Sequence, residues 1–498
     1  MRLARSWTRG AAAGRHRIFP DLAGVNLARR LAQPLPQRGL TPARLLAELK
    51  RDLLPFLRDS GHPAFFGYVM SPPSGAGVAA DLLASAFDQN LTAWRSAPGP
   101  TEMERLVVDW LRQITGLPEG SGGLLTSGGS MATLAALSVA RAVKAPAGTV
   151  RGGLGLLGDR LMTLYSSDEV HMSVPRAAQI LGLGTAAVRI VPSDARFRLD
   201  PAGLEDAVLA DRRAGHLPFC VVASAGTVNT GAVDPLEAIA RLARKHRLWL
   251  HVDAAYGGPL GLSALHRPLL RGLEEADSVA LDPHKWLYAP LDAGCVLYRD
   301  PATARAAFSA RGEYAQIFET GERESFAFFE HGPELSRRFR ALKVWMILKY
   351  HGAERLGQRL AEEMALATHL ARLVQNHAEL ELLAPVETGI VCFRYMPPAS
   401  RPAAAPRAAV PDERRRGGRG GDDRGRRAAD AMIDRLNQDL LVALQRGGRV
   451  YLSNALLRGR FALRACLVNF RTRRTDLERL VQEVVREGRR LTTARRGR

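Results

Sequence analysis

Lys285 follows a short apolar run and a proline turn in SVALDPHKW (278–286). The carboxyl ends of buried strands are where open α/β sheets bind ligands, so an amine there is placed for chemistry. A lysine held neutral by desolvation or by a neighbouring cation can attack an aldehyde and form a Schiff base. Asp253 ends a second apolar run in LWLHVDAAYGG (248–258). A carboxylate at the end of a buried strand needs a partner. The ring N–H of a pyridinium would be one, and the pairing keeps such a ring an electron sink. Ala255 is small enough to let a flat ring lie against the strand. Asp253 and Lys285 are 32 residues apart, about one strand–helix–strand unit, so adjacent strand ends can bring both to one small molecule.

Two further segments have chemical potential. GGLLTSGGSMATLAAL (122–137) reads as a Gly/Ser loop opening a helix. Backbone N–H groups at a helix start bind phosphate without a lysine, with the amide of Gly129 and Ser130 as candidates. In SSDEVHMSVPRAAQILG (166–182), His171 sits where a strand passes into a helix. An imidazole there can stack on an aromatic cofactor and present a proton to substrate. Singly, each motif has a plainer reading: a surface lysine, a turn-capping aspartate, a helix cap, a structural histidine.

The elements that must position these residues are legible as alternation. Between about 120 and 300, apolar runs at 161–165, 187–192, 219–226, 248–255, 278–282 and 294–298 alternate with helical stretches, 235–247 being the clearest. That pattern predicts an α/β fold with a mostly parallel sheet covered on both faces; the direction of the last strand is left open. Upstream, TPARLLAELKRDLLPFL (41–57) spaces its leucines as a helix, with Thr41 as N-cap and Pro42 at the first turn. Residues 396–428 are rich in Pro, Ala, Arg and Gly and predict a disordered insertion. After it, Ile433, Leu436, Leu440 and Leu444 share one helical face.

Together, in order and spacing, the four motifs resemble the group II pyridoxal-phosphate decarboxylases, the family of aromatic-L-amino-acid, histidine and glutamate decarboxylases. HPAFFGYVMSPP (62–73), PGPTEMERLVVDWL (98–111), VVASAGTVNTGAVDPL (221–236) and LSRRFRALKVWMILKYHG (335–352) resemble further blocks of that family. The resemblance runs from about residue 40 to 488, the insertion excepted. It implies the aspartate-aminotransferase architecture (fold type I), with a mostly parallel sheet in a large domain and a smaller α+β C-terminal domain. It also implies pyridoxal 5′-phosphate as cofactor, an amino-acid substrate, and a homodimer with active sites at the subunit interface. Carried over position by position, it makes Lys285 the cofactor lysine and Asp253 the partner of the pyridine nitrogen. His171 would stack on the ring, Ala255 would pack against its other face, and Gly129, Ser130 and His284 would surround the phosphate. Ser224 takes a position near the cofactor's O3′ side, and Tyr68 and Ser71 match the substrate-side segment. Asp282 matches a position where many animal members have Asn near the phosphate; a carboxylate facing phosphate repels it unless protonated or turned away.

The implied reaction is decarboxylation of an L-amino acid to an amine and CO₂. The apolar character around Tyr68, Val69 and Met70 favours an aromatic substrate over glutamate. In one respect the chain departs from the family pattern. Family decarboxylases carry a loop tyrosine that donates the Cα proton; that place falls near Phe328 here, and the nearest upstream tyrosine is Tyr314. Members lacking the tyrosine let oxygen intervene and yield an aldehyde, so aldehyde synthesis is a rival reading, as is a carbon–carbon lyase on the same scaffold.

Charge introduces a different class of function. The net charge is +20, which first suggests nucleic acid or an anionic membrane. Residues 1–51, 396–428 and 486–498 carry +9, +5 and +5, leaving the rest nearly neutral. A basic stripe on the folded body is missing, and neither partner is expected. No apolar run approaches the length of a membrane span. Cys220, Cys295, Cys392 and Cys466 are widely spaced, with neither a CxxC nor a metal pattern, and fit free thiols in a reducing cytoplasm. The expected organisation is a disordered basic extension (1–40), a helical arm and dimerisation segment (41–110), a large cofactor domain (111–350), a small domain (351–488) and a basic tail (489–498).

Overall fold

The computed structural model describes residues 2–309, 324–398 and 423–496. It divides into two compact units, one formed by residues 73–365 and 384–389, the other by 1–72, 366–383 and 390–498.

The first unit is built on seven strands: β1 (Gly122–Thr126), β2 (Met162–Ser167), β3 (Val188–Val191), β4 (Leu217–Ser224), β5 (Trp249–Asp253), β6 (Ser278–Leu281) and β7 (Gly294–Tyr298). Their order is β1-β7-β6-β5-β4-β2-β3. Pairs from β6 through β3 are parallel, and β7 is antiparallel to both β6 and β1. Two antiparallel steps cancel, so β1 runs in the direction of β6. The carboxyl ends of β1, β2, β4, β5 and β6 therefore share one edge of the sheet. Central strands are apolar along their length because helices cover both faces. Val221, Val222, Ala223, Val252, Val279 and Ala280 are completely buried. The expected mostly parallel α/β sheet is present, and the open question of its last strand resolves as antiparallel.

β1 is a strand where the sequence pattern predicts only a loop before a helix. Its two leading glycines hide it, and one of them is demanded by the packing: a Cβ on Gly123 would lie 1.9 Å from the Val296 carbonyl oxygen. A buried ion pair anchors β1 from behind. The side chains of Arg337 and Glu104 are both fully buried and pair through Nη2 and Oε1. The same Oε1 accepts the Leu125 amide at 2.9 Å, and Arg337 donates to the carbonyls of Leu125 at 2.6 Å and Leu91 at 3.2 Å. Its guanidinium also lies 4.2 Å from the centre of the Phe328 ring. Removing one member of such a pair strands a buried charge. Arg337→Met is therefore expected to destabilise the protein by about 3–5 kcal/mol, with part of the loss recovered on adding Glu104→Gln, as read from denaturant midpoints.

The second unit holds a four-stranded antiparallel sheet, β10-β11-β9-β8, from β8 (Leu380–Leu382), β9 (Ile390–Tyr395), β10 (Ser453–Leu457) and β11 (Arg460–Cys466). The helix Asp423–Gly447 buries Ile433, Leu436, Leu440 and Leu444, the face its spacing predicts. Residues 399–422, most of the predicted insertion, lie outside the described residues. The predicted divisions near 110 and 350 differ from the observed ones. Residues up to 72 group with the C-terminal sheet because Phe66 donates to Tyr451 and accepts from Cys466 through the backbone, with Phe65 and Phe66 buried.

Among the described residues, the basic segment 1–40 carries two helices. Arg2–Ala12 and Leu27–Leu31 are helical. Ala11 and Ile18 are buried, and Ile18 bonds Gly448 and Asp59 through its backbone. Basic composition conceals these few apolar anchors. Likewise, the tail expected from 489 continues the helix Arg474–Arg496. The arm begins as predicted, with Thr41 accepting from the Arg44 amide at 3.4 Å. Its α-helix ends at Glu48 and gives way to a widened turn at Leu49–Leu53 and a tight one at Leu54–Phe56, where Pro55 cannot continue the hydrogen-bond ladder.

Candidate active site

β4, β5 and β6 present their last residues side by side. Ser224 is the register partner of Asp253, and Asp253 of Ala280. Neighbouring strands lie about 4.8 Å apart, so Ser224 and Asp253 share one small area of the sheet edge. Asp282 follows β6 directly, and Lys285 lies in the single turn Pro283–Trp286.

Lys285 Nζ is 3.0 Å from Asp282 Oδ2. Asp282 is 2% exposed, and its Oδ1 is buried with no hydrogen-bond partner among the described residues. His284 approaches the same carboxylate, with Nε2 3.7 Å from Oδ2. Its other nitrogen, Nδ1, is 2.6 Å from the Ala293 carbonyl, which can only accept, so Nδ1 carries a proton. Nε2 is thereby the ring's available pole.

Gly129 closes in from the opposite side. A Cβ there would lie 2.9 Å from Asp282 Oδ2 and 3.2 Å from the Ala255 Cβ, so any larger residue would fill the space. The turn before it is equally tight: a Cβ on Gly294 would fall 2.4 Å from the Gly128 Cα. Helix Gly129–Lys144 starts at this point, and the N–H groups of its first residues are left over by the intrahelical ladder. Ser130 is exposed in that first turn.

His171 lies four residues beyond β2. The Ser173 amide donates to its Nδ1 at 3.2 Å, and the Ser173 hydroxyl lies 2.8 Å away. The neutral ring therefore carries its proton on Nε2. Burial lowers the pKa of this histidine; the charges of Asp253 and Asp282 raise it, and those of Lys285 and Arg176 lower it. The amine and both carboxylates thus act on this imidazole through their charges. With burial the largest influence, the ring is neutral at neutral pH.

Asp253 Oδ1 accepts the Ala255 amide at 3.1 Å, which holds the carboxylate at the strand end. Ala255 is 5% exposed. The Ser224 amide donates to Asp234 Oδ2 at 2.7 Å, and Asp234 also accepts from Leu199 at 2.7 Å. Burial pushes the Asp234 carboxyl up to about 7 against those two bonds. Asp234 therefore fixes the end of β4 beneath Ser224. Sequence reasoning passes over this residue, although DPL after a Thr/Gly-rich turn (230–236) carries a usable signal.

Tyr68 and Ser71 belong to the other unit. There, the Arg58 guanidinium lies over the rings of Phe65, Tyr68 and Tyr451 at 5.2, 5.1 and 5.7 Å. The Tyr68 hydroxyl is 3.3 Å from that of Tyr451. Tyr68 is 48% exposed, whereas Ser71 is buried. Phe328 is wholly buried beneath Arg337 and is a core residue; Tyr314 lies outside the described residues.

These groups fit pyridoxal phosphate. One primary amine stands beside a buried carboxylate with an unpartnered oxygen, a second carboxylate ends a neighbouring strand, and a side-chain-free cradle opens a helix. Among the described residues, no cluster of three or more His, Cys, Asp or Glu side chains could hold a metal. No helix there is long and apolar enough to cross a membrane.

Comparison with known proteins agrees with this chemistry. Residues 25–396 match the family described as the pyridoxal-dependent decarboxylase conserved domain. An aromatic-L-amino-acid decarboxylase of Bacillus atrophaeus is 34% identical, over 92% of this chain and 88% of the relative. A phenylacetaldehyde synthase of Arabidopsis thaliana is 28% identical, over 90% and 87%. Among solved structures, that of Oryza sativa TDC with PLP and tryptamine superposes with a TM-score of 0.86 at 27% identity, covering 98% of this chain and 96% of that one. The chain belongs to the pyridoxal-dependent decarboxylases, with the fold type I architecture of that family, and is a PLP-dependent carboxy-lyase of amino acids.

Proposed function

We propose that this enzyme decarboxylates an aromatic L-amino acid to the corresponding amine and CO₂, with Lys285 as the residue that binds the cofactor. The observation that carries the site assignment is the Lys285 amine 3.0 Å from buried Asp282, beside the Gly129 cradle and the strand that ends in Asp253. The decarboxylases among the relatives, named for aromatic amino acids, tryptophan and tyrosine, support the substrate class.

When bound, pyridoxal phosphate supplies an electron sink for the pair released as the Cα–carboxylate bond breaks. The chain's residues do the rest. Asp253, at the end of β5, would pair with the ring nitrogen. His171, with its proton on Nε2, would stack on the ring and offer one donor to a substrate carboxylate. The first-turn amides at Gly129 and Ser130 would receive the phosphate, with His284 bordering it. Ser224 borders the ring's hydroxyl side, and Ala255 leaves room for the ring's face. Asp282 would pair with Lys285, its Oδ2 lying 3.0 Å from the amine while also facing the Gly129 cradle. The family resemblance assigns Tyr68 and Ser71 to the substrate side. The enzyme works as a homodimer, supported by the exposed Leu45, Leu46, Leu49 and Leu53 of the arm, and in the cytoplasm, supported by four buried cysteines outside any disulfide.

A second reading has its own observation. Phe328 is a buried core residue, so the family's tyrosine donor has no counterpart at that position. Purified enzyme supplied with pyridoxal phosphate and each aromatic amino acid should release CO₂ and amine in equal amounts. Aldehyde and peroxide in place of amine would convert the assignment to an aldehyde synthase; absence of CO₂ with every aromatic substrate would overturn the substrate class. Tyr314→Phe should shift products from amine to aldehyde, and unchanged amine formation would remove Tyr314 as the proton donor.

A further inference from the structure

Lys285 sits in a helix of only four residues, too short to hold its own geometry. The residues just after it are held from outside. Trp286 is fully buried and stacks on Tyr256, with ring centroids 4.8 Å apart and planes 9° from parallel. Tyr256 is in turn fixed by the Gly389 amide, which donates to its hydroxyl at 2.8 Å. Tyr288 adopts φ +58°, a left-handed conformation that a tyrosine keeps only under restraint. Its carbonyl accepts the Ser74 amide at 2.8 Å. Both side chains converge on one carboxyl group. The indole N–H of Trp286 donates to Glu363 Oε2, and the Tyr288 hydroxyl bonds Glu363 Oε1 at 3.0 Å. Glu363 is 1% exposed, projecting from the helix Ala353–Asn376.

We propose that Glu363 is a positioning residue for the cofactor lysine: its two oxygens clamp Trp286 and Tyr288, and so fix the direction in which Lys285 leaves the turn. The inference rests on the assignment of Lys285 above. No sequence motif points to this residue, which lies 78 positions from Lys285.

The clamp works in either charge state. Burial pushes the Glu363 carboxyl up to about 8, opposed by the bonds from Trp286 and Tyr288 and by Arg359, with Glu362 adding a further upward influence. When protonated, it donates to the Tyr288 oxygen and accepts from the indole. When ionised, it accepts from both, the tyrosine hydroxyl simply turning its hydrogen. Because the folded pKa exceeds that of an exposed glutamate, stability falls as pH rises from the ordinary carboxylate range through about 8.

The test uses holoenzyme carrying Glu363→Ala, Glu363→Gln or Trp286→Phe. Glu363→Ala should lower kcat on the order of ten- to hundredfold with little change in KM, and should shift the visible cofactor band. Glu363→Gln can donate to Tyr288 and accept from Trp286. It should restore both kcat and band, and should remove the part of the melting-temperature decline that the parent shows between the ordinary carboxylate range and about pH 8. Trp286→Phe keeps the ring stack but loses the N–H, and should lower kcat in the same direction even if Glu363→Ala fails to fold. Parent-like kcat and band in Glu363→Ala, an equal loss in Glu363→Gln, or no effect in Trp286→Phe would each overturn the clamp. A parent enzyme that forms no visible band with pyridoxal phosphate would instead overturn the assignment of Lys285.

Discussion

Lys285→Ala should lower kcat/KM on the order of 10⁴-fold or more, because no other described side chain offers a primary amine beside Asp282. Alanine alone would leave an ambiguity. Asp282 is buried and would lose its cation, so some loss could be structural. Lys285→Arg separates the two effects. A guanidinium keeps a positive charge beside the carboxylate but never becomes the free amine that an aldehyde requires. Both variants should be inactive in CO₂ release, whereas only Lys285→Ala should melt measurably lower. Turnover by Lys285→Arg would remove the lysine from the chemistry.

Asp253→Asn should reduce kcat on the order of 10³–10⁴-fold, the scale seen when a carboxylate orienting a catalytic ring is made neutral. The substitution keeps shape, and its amide oxygen can still accept from Ala255. What it loses is charge. A neutral amide cannot hold a ring nitrogen protonated, so the cofactor would bind and yet fail as an electron sink. His171 provides an internal check. Asp253 is the largest of the influences raising its pKa, so the histidine should titrate still lower in Asp253→Asn, which NMR of the imidazole would record. A variant with cofactor bound and kcat within about tenfold of the parent would contradict the role.

The parts of the site visible in sequence are those fixed by local rules. Lys285, Asp253 and His171 each follow an apolar run at a strand end, and a parallel sheet delivers such ends to one edge. Periodicity also finds the helix face of Ile433 to Leu444. What escapes is set by long-range packing. The two glycines opening β1 read as loop, although Gly123 is small because Val296 lies against it. Glu363 and Asp234 look like ordinary acidic residues beside helical or turn sequence; only the fold shows that each is buried against backbone or ring donors. Asp282 is the position where repulsion of a phosphate is expected. Its Oδ2 lies 3.0 Å from Lys285, three residues on, and also borders the Gly129 cradle. In the N-terminal segment the few buried residues, Ala11 and Ile18 among them, do not stand out beside many arginines.

The most direct measurement is covalent. Enzyme loaded with pyridoxal phosphate, reduced with borohydride and digested should yield one peptide bearing a pyridoxyl group, and fragmentation should place that group on the lysine between His284 and Trp286. A pyridoxyl group on any other lysine, or none on a protein that still releases CO₂, would contradict the account.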